Sequence, residues 1–218
     1  MGEPVLIYGK SGSGKSRSLK NFAEDEIYYV NVGDKSLPFR KKFKYTTVSD
    51  DTTLIKAGLK KMPVKTAVID DSGFIMDNQY MDEHSKEKKG NDVFKMYDDI
   101  ADNFFGLIKF IKSDLPKDVI VYLIMHEDTD DFGNTKLHTI GKLLDNKANI
   151  AARCTIALRC CTQGNNHFFK TKTDGSDITK SPEDMFPEAQ MENDLKAVDT
   201  AIRNYYEWDK EESDASKA

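Results

Sequence analysis

The sequence predicts an α/β fold, with a mainly parallel sheet flanked by helices and a β-hairpin near the C-terminus. Short apolar runs of strand length alternate with segments of helical spacing. Two of these runs, Thr66–Asp71 and Asp118–Met125, are apolar almost throughout, as strands buried on both faces of a parallel sheet are. A glycine-rich loop stands between the first strand and the first helix, an arrangement typical of α/β proteins that bind phosphates.

Length and composition limit the organisation of the chain. The 218 residues are 39% hydrophobic and 10% aromatic, which is enough for one sizeable core. We therefore expect a single domain over residues 1–208 and a polar, frayed tail over residues 209–218. No apolar run approaches the roughly 20 residues that a membrane helix needs. Together with three cysteines that lack metal-ligand spacing, this predicts a cytoplasmic protein without a membrane partner.

The first part of the chain predicts two strands, a helix and a basic loop. The apolar run Val5–Tyr8 has the composition of a buried strand, and Ser16–Phe22 is helix-like. Ile27–Val32 is rich in residues that favour strands and ends at a glycine. The segment Gly33–Lys44 carries five lysine or arginine residues. It is either a solvated connection or a contact to phosphate or to a neighbouring subunit.

The middle of the chain predicts two helices on either side of a buried strand. Thr52–Lys61 is a short helix that ends before Pro63, since proline stops a helix at the preceding residues. The run Thr66–Asp71 ends in two carboxylates, which a parallel strand delivers to its C-terminal edge. After the charged segment Asp82–Asn91, apolar residues keep helical spacing through Asp92–Lys112. This long helix is expected to pack on the sheet.

The next segment predicts the most apolar strand and a polar connection. Asp118–Met125 is the strand, and His126 and Glu127 follow it directly. A polar loop is expected over Asp128–Thr139, followed by a weak helix over Ile140–Ala151.

The C-terminal part predicts a hairpin and a final helix. Two alternating runs, Thr155–Thr162 and His167–Thr173, flank the turn-forming residues Gln163–Asn166. The last helix is expected over Asn193–Trp208.

The loop between the first strand and the first helix is a phosphate-binding motif. It fits the pattern G-x-x-x-x-G-K-[ST]. A strand is expected before it and a helix after it, which is the context in which this pattern binds phosphate. Its glycines let the backbone turn N–H groups toward phosphate, and the helix N-terminus adds partial positive charge. We expect Lys15 to reach the β- and γ-phosphates of ATP and Ser16 to hold Mg²⁺ by its hydroxyl. The motif consists of Gly9, Lys10, Ser11, Gly12, Ser13, Gly14, Lys15 and Ser16.

Three polar residues at strand ends are candidates for the chemistry on ATP. Asp70 stands where a P-loop enzyme places the carboxylate that helps to hold Mg²⁺. Asp71 is either a general base for the attacking water or a surface carboxylate that caps the following turn. His126 is either a sensor of the γ-phosphate or a structural histidine.

Four lysines are candidates for contact with DNA. The net charge is −5, so binding of nucleic acid requires a local basic patch. Lys136 and Lys142 lie in or near the loop after His126, where reordering on ATP binding would gate contact with a polyanion. Lys170 and Lys172 are expected on one face of the hairpin. A solvated loop or strand face is the alternative for all four.

These motifs together resemble a family of small phage AAA-type P-loop ATPases with a RecA-like core, whose relatives include single-strand annealing recombinases. The resemblance covers about residues 3 to 206. The P-loop and its carboxylates are specific for nucleotide binding, whereas the recombinase role rests on analogy. Besides the P-loop, the resemblance is carried by Asp34–Phe39, Ala67–Asp71, Met125–Glu127, Thr139–Lys142, Thr179–Pro182 and Met185–Phe186.

The resemblance implies a protein that uses ATP and Mg²⁺ and binds single-stranded DNA. It also implies a homo-oligomer, as a ring or filament, that works with phage recombination or replication proteins in an infected bacterial host. Lys15 and Ser16 match the P-loop, Asp70 the magnesium carboxylate and His126 the sensor position. Lys180 would act across a subunit boundary.

The chain departs from RecA at the catalytic carboxylate. RecA carries its catalytic Glu just after the second strand, where this chain has Val32, Gly33 and Asp34. Asp34 or Asp71 must therefore replace that Glu, or hydrolysis is slow.

Two other functions compete with a DNA-stimulated ATPase. A small-molecule or nucleotide kinase also opens with a P-loop, but such kinases clamp the phosphates with an arginine-rich lid. Between Phe132 and Pro187 the chain has only Arg153 and Arg159, which counts against a kinase. A nucleotide-gated DNA-binding or loader protein, in which ATP is a switch with little turnover, stays open.

Overall fold

The computed structural model describes residues 1–86, 91–140 and 149–208. Within these ranges the chain forms a nine-stranded, mainly parallel sheet with helices on both faces. The strands are β1 (Glu3–Gly9), β2 (Tyr28–Asn31), β3 (Tyr45–Val48), β4 (Thr66–Asp70), β5 (Ile120–Thr129), β6 (Thr135–Leu137), β7 (Ile156–Gln163), β8 (Asn166–Lys170) and β9 (Gln190–Glu192). The helices are a 3₁₀ helix (Ser16–Asn21), α1 (Thr52–Lys61), α2 (Phe74–His84), α3 (Asn91–Asp114), α4 (Ile150–Arg153) and α5 (Leu195–Tyr205).

The order of the strands places β5 between the strand that leads to the P-loop and the strand that leads to the carboxylates. The order is β3-β2-β4-β5-β1-β7-β8-β9, and β6 pairs with the outer part of β5. Neighbours from β3 to β7 pair in parallel, and β8 and β9 add in antiparallel fashion. Because parallel strands run to the same edge, the residues that follow β1 and β4 meet there beside His126, the last residue of β5 that pairs with β1.

Two hydrophobic clusters bury the central strands from opposite sides. Helices α1, α2 and α3 cover one face, and the 3₁₀ helix and α5 cover the other. In β5, alternate side chains enter the two clusters, as the period of two in a strand requires. This double burial explains why the central strands are continuously apolar in sequence. Val121, Leu123 and Met125 enter one cluster, and Ile120, Tyr122 and Ile124 enter the other.

The predicted fold class is confirmed, and several elements match closely. Helix α1 has the predicted bounds, and β7 and β8 form the predicted hairpin. Helix α5 begins at Leu195, two residues after the predicted start, because the Asp194 side chain accepts hydrogen bonds from the first backbone N–H groups. Of the three free cysteines, Cys154 and Cys160 are buried.

Some elements differ from the sequence prediction. The expected polar loop Asp128–Thr139 is a hairpin, because β5 continues to Thr129 and pairs antiparallel with β6. The residues of β5 that pair with β6, Glu127–Thr129, are polar, and β6 has only three residues, so the segment lacks the hydrophobic pattern of a longer strand. Strands β3 and β9, which are short and partly exposed, and helix α2 were not predicted. Strand β8 ends at Lys170, so Lys172 lies beyond it.

Part of the predicted organisation falls outside the described residues. The weak helix expected over Ile140–Ala151 lies mostly in residues 141–148, and the polar tail lies in residues 209–218. Among the described helices, none combines the length and the apolar character needed to cross a bilayer.

Helix α3 offers a test of how the core is built. Phe104 is fully buried in one cluster, whereas Phe94 on the same helix is 72% exposed. We expect Phe104→Ala to lower the free energy of unfolding by about 3–5 kcal/mol, because it removes buried surface and leaves a cavity. The matched change Phe94→Ala should alter it by less than about 0.5 kcal/mol. Urea unfolding followed by circular dichroism measures both, and equal effects would contradict the packing described for α3.

Candidate active site

The phosphate-binding loop makes a tight turn between β1 and the 3₁₀ helix. Gly12 and Gly14 have φ of +78° and +99°, a backbone conformation that favours glycine. The Ser13 N–H donates to the Lys10 carbonyl at 3.2 Å and closes the turn. A Cβ on Gly14 would lie 2.8 Å from Nδ1 of His167, so the loop also needs glycine there for close packing.

The side chain of Lys15 lies at the centre of the site. The residue is only 6% exposed, and its ammonium donates to the carbonyls of Gly9 and Lys10 at 2.9 Å each. Burial lowers the pKa of Lys15, and the charge of Asp71 opposes that effect. A desolvated positive charge at this position attracts phosphate oxygens strongly, because little water screens it.

Asp70 is buried beside the first hydroxyl of the 3₁₀ helix. Ser16 Oγ donates to Asp70 Oδ1 at 3.1 Å, and the Tyr29 hydroxyl donates to Asp70 Oδ2 at 3.0 Å. Burial raises the pKa of Asp70 and the charge of Asp71 raises it further, whereas these two hydrogen bonds lower it. The carboxylate is thus held in place from two sides.

The oxygens of Ser16 and Asp70 fit a magnesium ion. Among the described residues, no group of three or more His, Cys, Asp or Glu side chains forms a metal cluster. A sparse pair of oxygen ligands nevertheless suits Mg²⁺, which keeps several waters and takes further ligands from substrate phosphates. The buried carboxylate beside a hydroxyl is the observation that supports this fit.

Asp71 begins the turn after β4 and is held by two partners. Its φ of +53° is left-handed, a conformation that aspartate tolerates better than most residues. One carboxylate oxygen accepts from Lys35 Nζ at 2.7 Å, and the other lies 3.3 Å from His126 Nε2. Burial alone would raise the pKa of Asp71, but hydrogen bonds from His126 and Lys35 bring it down to about 2. The carboxylate is therefore ionised at neutral pH.

His126 connects the P-loop lysine to this carboxylate. Its Nδ1 lies 3.4 Å from Lys15 Nζ, while its Nε2 faces Asp71. The register explains the position, since His126 pairs with Gly9 at the end of β1. Its ring stacks on Phe74 with 5.8 Å between centroids, and its carbonyl accepts from His138 N–H at 2.9 Å. One imidazole thus contacts both sides of the site and starts the β5–β6 hairpin.

Residues that the sequence analysis did not single out support the P-loop from the opposite side. The Ser13 carbonyl accepts a hydrogen bond from Cys160 Sγ at 3.0 Å and lies 2.7 Å from His167 Nδ1. Asn193 Nδ2 donates to Cys160 Sγ at 3.2 Å, and Arg17 Nη1 donates to Asn193 Oδ1 at 3.3 Å. No local motif marks these residues, because they come together only through the pairing of β7 with β1 and of β8 and β9 with β7 and β8.

Three of these supporting residues, Arg17, His167 and Asn193, border a cleft of about 610 Å³ beside the 3₁₀ helix. Its lining is mainly polar and includes several amide side chains. Arg17, which directly follows the phosphate-binding motif, is part of the wall. Asn21, Asn165, Asn166, His167, Phe168, Gln190 and Asn193 also line the cleft.

The lysines of the hairpin region are engaged within the protein. Lys170 Nζ lies 2.8 Å from Asp174 and 2.7 Å from Asp177. Lys172 Nζ donates to the Pro187 carbonyl at 3.2 Å. The positive charge of Lys170 is therefore neutralised by two carboxylates of the protein itself.

The other predicted residues do not join these contacts among the residues that the structure describes. Lys136 is on β6, Lys142 lies outside the described residues, and Lys180 forms an antiparallel bridge with Ala157 of β7. Asp34 is exposed in the turn after β2, with a φ of +48°. The structure thus brings Asp71, and not Asp34, into contact with His126.

This geometry agrees with the comparison to protein families. The chain matches the AAA domain family over residues 1–182. The chain belongs to this family. The matched segment of the AAA domain includes the P-loop, both carboxylates and His126, so this protein is a P-loop ATPase. A comparison with curated proteins gives no match.

The role of Lys15 can be tested by nucleotide binding. We expect Lys15→Ala to abolish ATP binding in this AAA domain, because it removes the buried charge that faces the phosphates. Titration with a fluorescent ATP analogue measures the affinity. Lys109→Ala is the control, since Lys109 is exposed on α3 and its loss changes the net charge equally. An affinity near that of the unmodified protein for Lys15→Ala would contradict the assignment of the P-loop.

Proposed function

We propose that this AAA domain hydrolyses ATP with Mg²⁺ and binds single-stranded DNA as its partner. One observation carries the catalytic part: a continuous set of contacts runs from Lys15 through His126 to Asp71. The Ser16–Asp70 pair lies beside it at the same edge of the sheet. The site therefore brings together a phosphate-binding lysine, a pair of candidate metal ligands and an ionised carboxylate.

The P-loop residues bind and orient the nucleotide. Lys15 contacts the β- and γ-phosphates, and the loop backbone holds them in place. Ser16 and Asp70 would hold Mg²⁺, which neutralises charge that develops on the phosphate oxygens. The nucleoside extends past Arg17 into the adjoining cleft, where amide side chains offer hydrogen bonds to the base and ribose.

Asp71 positions the attacking water and accepts its proton. The water oxygen forms a bond to the γ-phosphorus as the bond to the β-phosphate oxygen breaks, which releases ADP and phosphate. His126, between Lys15 and Asp71, senses the γ-phosphate and passes its presence to the β5–β6 hairpin, because its carbonyl anchors that hairpin. Lys136 on this hairpin would then respond to ATP. Lys142, which lies outside the described residues, is included in this proposal from the sequence alone.

The biological setting is proposed from the sequence resemblance. It includes single-stranded DNA, assembly as a ring or filament, and a role in phage recombination or replication in the host cytoplasm. Lys180 as a group acting across a subunit boundary belongs to the same proposal. The negative net charge of the chain means that DNA contact depends on local basic surfaces.

The contacts of the Asp71 carboxylate favour a second function. Its carboxylate is paired with Lys35 and contacts His126, and a carboxylate so held is a weak proton acceptor. A nucleotide-gated DNA-binding or loader protein, in which ATP binding is the switch and turnover is low, agrees with that geometry.

Measurement of ATP hydrolysis with and without single-stranded DNA separates these functions. Lys15→Ala serves as the blank. Stimulation by DNA is the expected result for the proposed ATPase. Bound ATP with little turnover in either condition would favour the switch.

A second experiment identifies the water-activating carboxylate. We expect Asp71→Asn to keep ATP binding but lower kcat about 10²-fold or more, because the amide cannot accept the proton. Asp34→Asn is the matched control and should hydrolyse ATP at the normal rate. The reverse result would place the catalytic carboxylate at Asp34.

A further inference from the structure

A basic groove lies on the β2 side of the two site carboxylates. It has a volume of about 810 Å³ and is formed by β2, β3 and the segment of residues 33–44. Among the described residues that line it, four are cations and one, Glu24, is a carboxylate. The cations are Lys35, Arg40, Lys41 and Lys42. The groove is therefore strongly positive in a chain whose net charge is negative.

The basic groove contacts both carboxylates of the active site. Tyr29, which lines the groove, donates its hydroxyl hydrogen to Asp70 at 3.0 Å. Lys35, also in the lining, pairs with Asp71 at 2.7 Å. An anion bound in the groove would thus lie next to side chains that touch the catalytic centre.

Lys35 combines a fixed backbone with an accessible charge. Asn31 at the end of β2 accepts from the Lys35 N–H at 3.1 Å and donates to the Lys35 carbonyl at 2.8 Å. The Lys35 side chain is 56% exposed and lies over the ring of Phe74, with 4.3 Å between Nζ and the ring centroid. Asp71 is only 12% exposed, but the Lys35 end of the pair is open to solvent, so its ammonium can exchange one anionic partner for another without moving the backbone.

We propose that the basic groove binds the phosphate backbone of single-stranded DNA, and that Lys35 moves from Asp71 to a DNA phosphate when DNA binds. The movement leaves Asp71 without its closest cation and turns it toward the attacking water. DNA binding then raises the rate of ATP hydrolysis. Both parts rest on the proposed function: the first on its DNA partner and the second also on its ATPase activity.

Charge and shape favour a flexible polyanion in this groove. Arg40 and Lys42 are exposed along it, and Leu37 and Phe39 are half-buried in its wall. Cations that follow a backbone, next to apolar side chains that contact bases, are the usual features of a single-strand site. Lys41 donates to the carbonyls of Lys20 and Phe22 and so ties the segment to the end of the 3₁₀ helix.

Binding of fluorescein-labelled oligo(dT), measured by anisotropy without nucleotide, tests the groove. We expect the double variant Arg40→Gln/Lys42→Gln to bind at least about tenfold more weakly, because each lost phosphate contact reduces counterion release. The slope of log K against log salt should fall by about 1.4, or roughly 0.7 for each contact. The control Lys61→Gln/Lys109→Gln removes the same charge from exposed positions on α1 and α3 and should bind normally.

Three results would overturn the groove as the site for single-stranded DNA. The first is equal affinity for the groove variant and the control variant. The second is loss of affinity in Lys136→Glu but not in the groove variant, which would place DNA on the β5–β6 hairpin. The third is a clear preference for oligo(rU) or duplex DNA. Thermal unfolding of each variant shows whether it is folded.

The movement of Lys35 is tested by hydrolysis. Lys35→Met should hydrolyse ATP several-fold faster without DNA and show no further stimulation by oligo(dT). Lys35→Arg, which keeps the charge, should retain stimulation. A basal rate in Lys35→Met that is unchanged or lower would overturn the role of Lys35. DNA binding is measured without ATP, so the result for the groove can be interpreted even if the protein does not hydrolyse ATP.

Discussion

The position of β5 between β1 and β4 is the constraint on which the active site depends. Parallel pairing brings the end of each strand to one edge, and the register pairs His126 with Gly9. A shift of one residue would turn the imidazole to the other face of the sheet, since side chains alternate along a strand. The burial of β5 on both faces prevents that shift, because it would exchange the side chains of two well-packed clusters.

The packing of the central strands therefore fixes the relative positions of the site residues. Lys15 comes from the loop after β1, Asp70 and Asp71 from the end of β4, and His126 from β5. Besides the phosphate-binding loop, these side chains come from the ends of strands and from β5 itself. The less regular elements, the basic segment after β2 and the β5–β6 hairpin, start from the same edge of the sheet.

The sequence contained enough information for the fold class and for the residues that come directly from strand ends. Motif spacing placed the P-loop, and continuous apolar runs placed Asp70 at the end of its strand. His126 was also expected at a strand end, but β5 continues to Thr129, and His126 is only the last residue that pairs with β1. Contacts that depend on strand order could not be predicted. Cys160 and His167 reach the P-loop only because β7 lies next to β1, and Lys35 reaches Asp71 across the β2–β4 boundary. Neither contact has a signal in local sequence.

The left-handed backbone at Asp71 also limits which acid can serve there. This conformation is adopted at low cost by glycine, asparagine and aspartate, and it is unfavourable for most other residues. A glutamate, with its additional methylene group, would gain reach but would strain the turn after β4. The length of the acid at this position is therefore limited by the main chain, and the reach of its carboxylate follows from the shape of the turn.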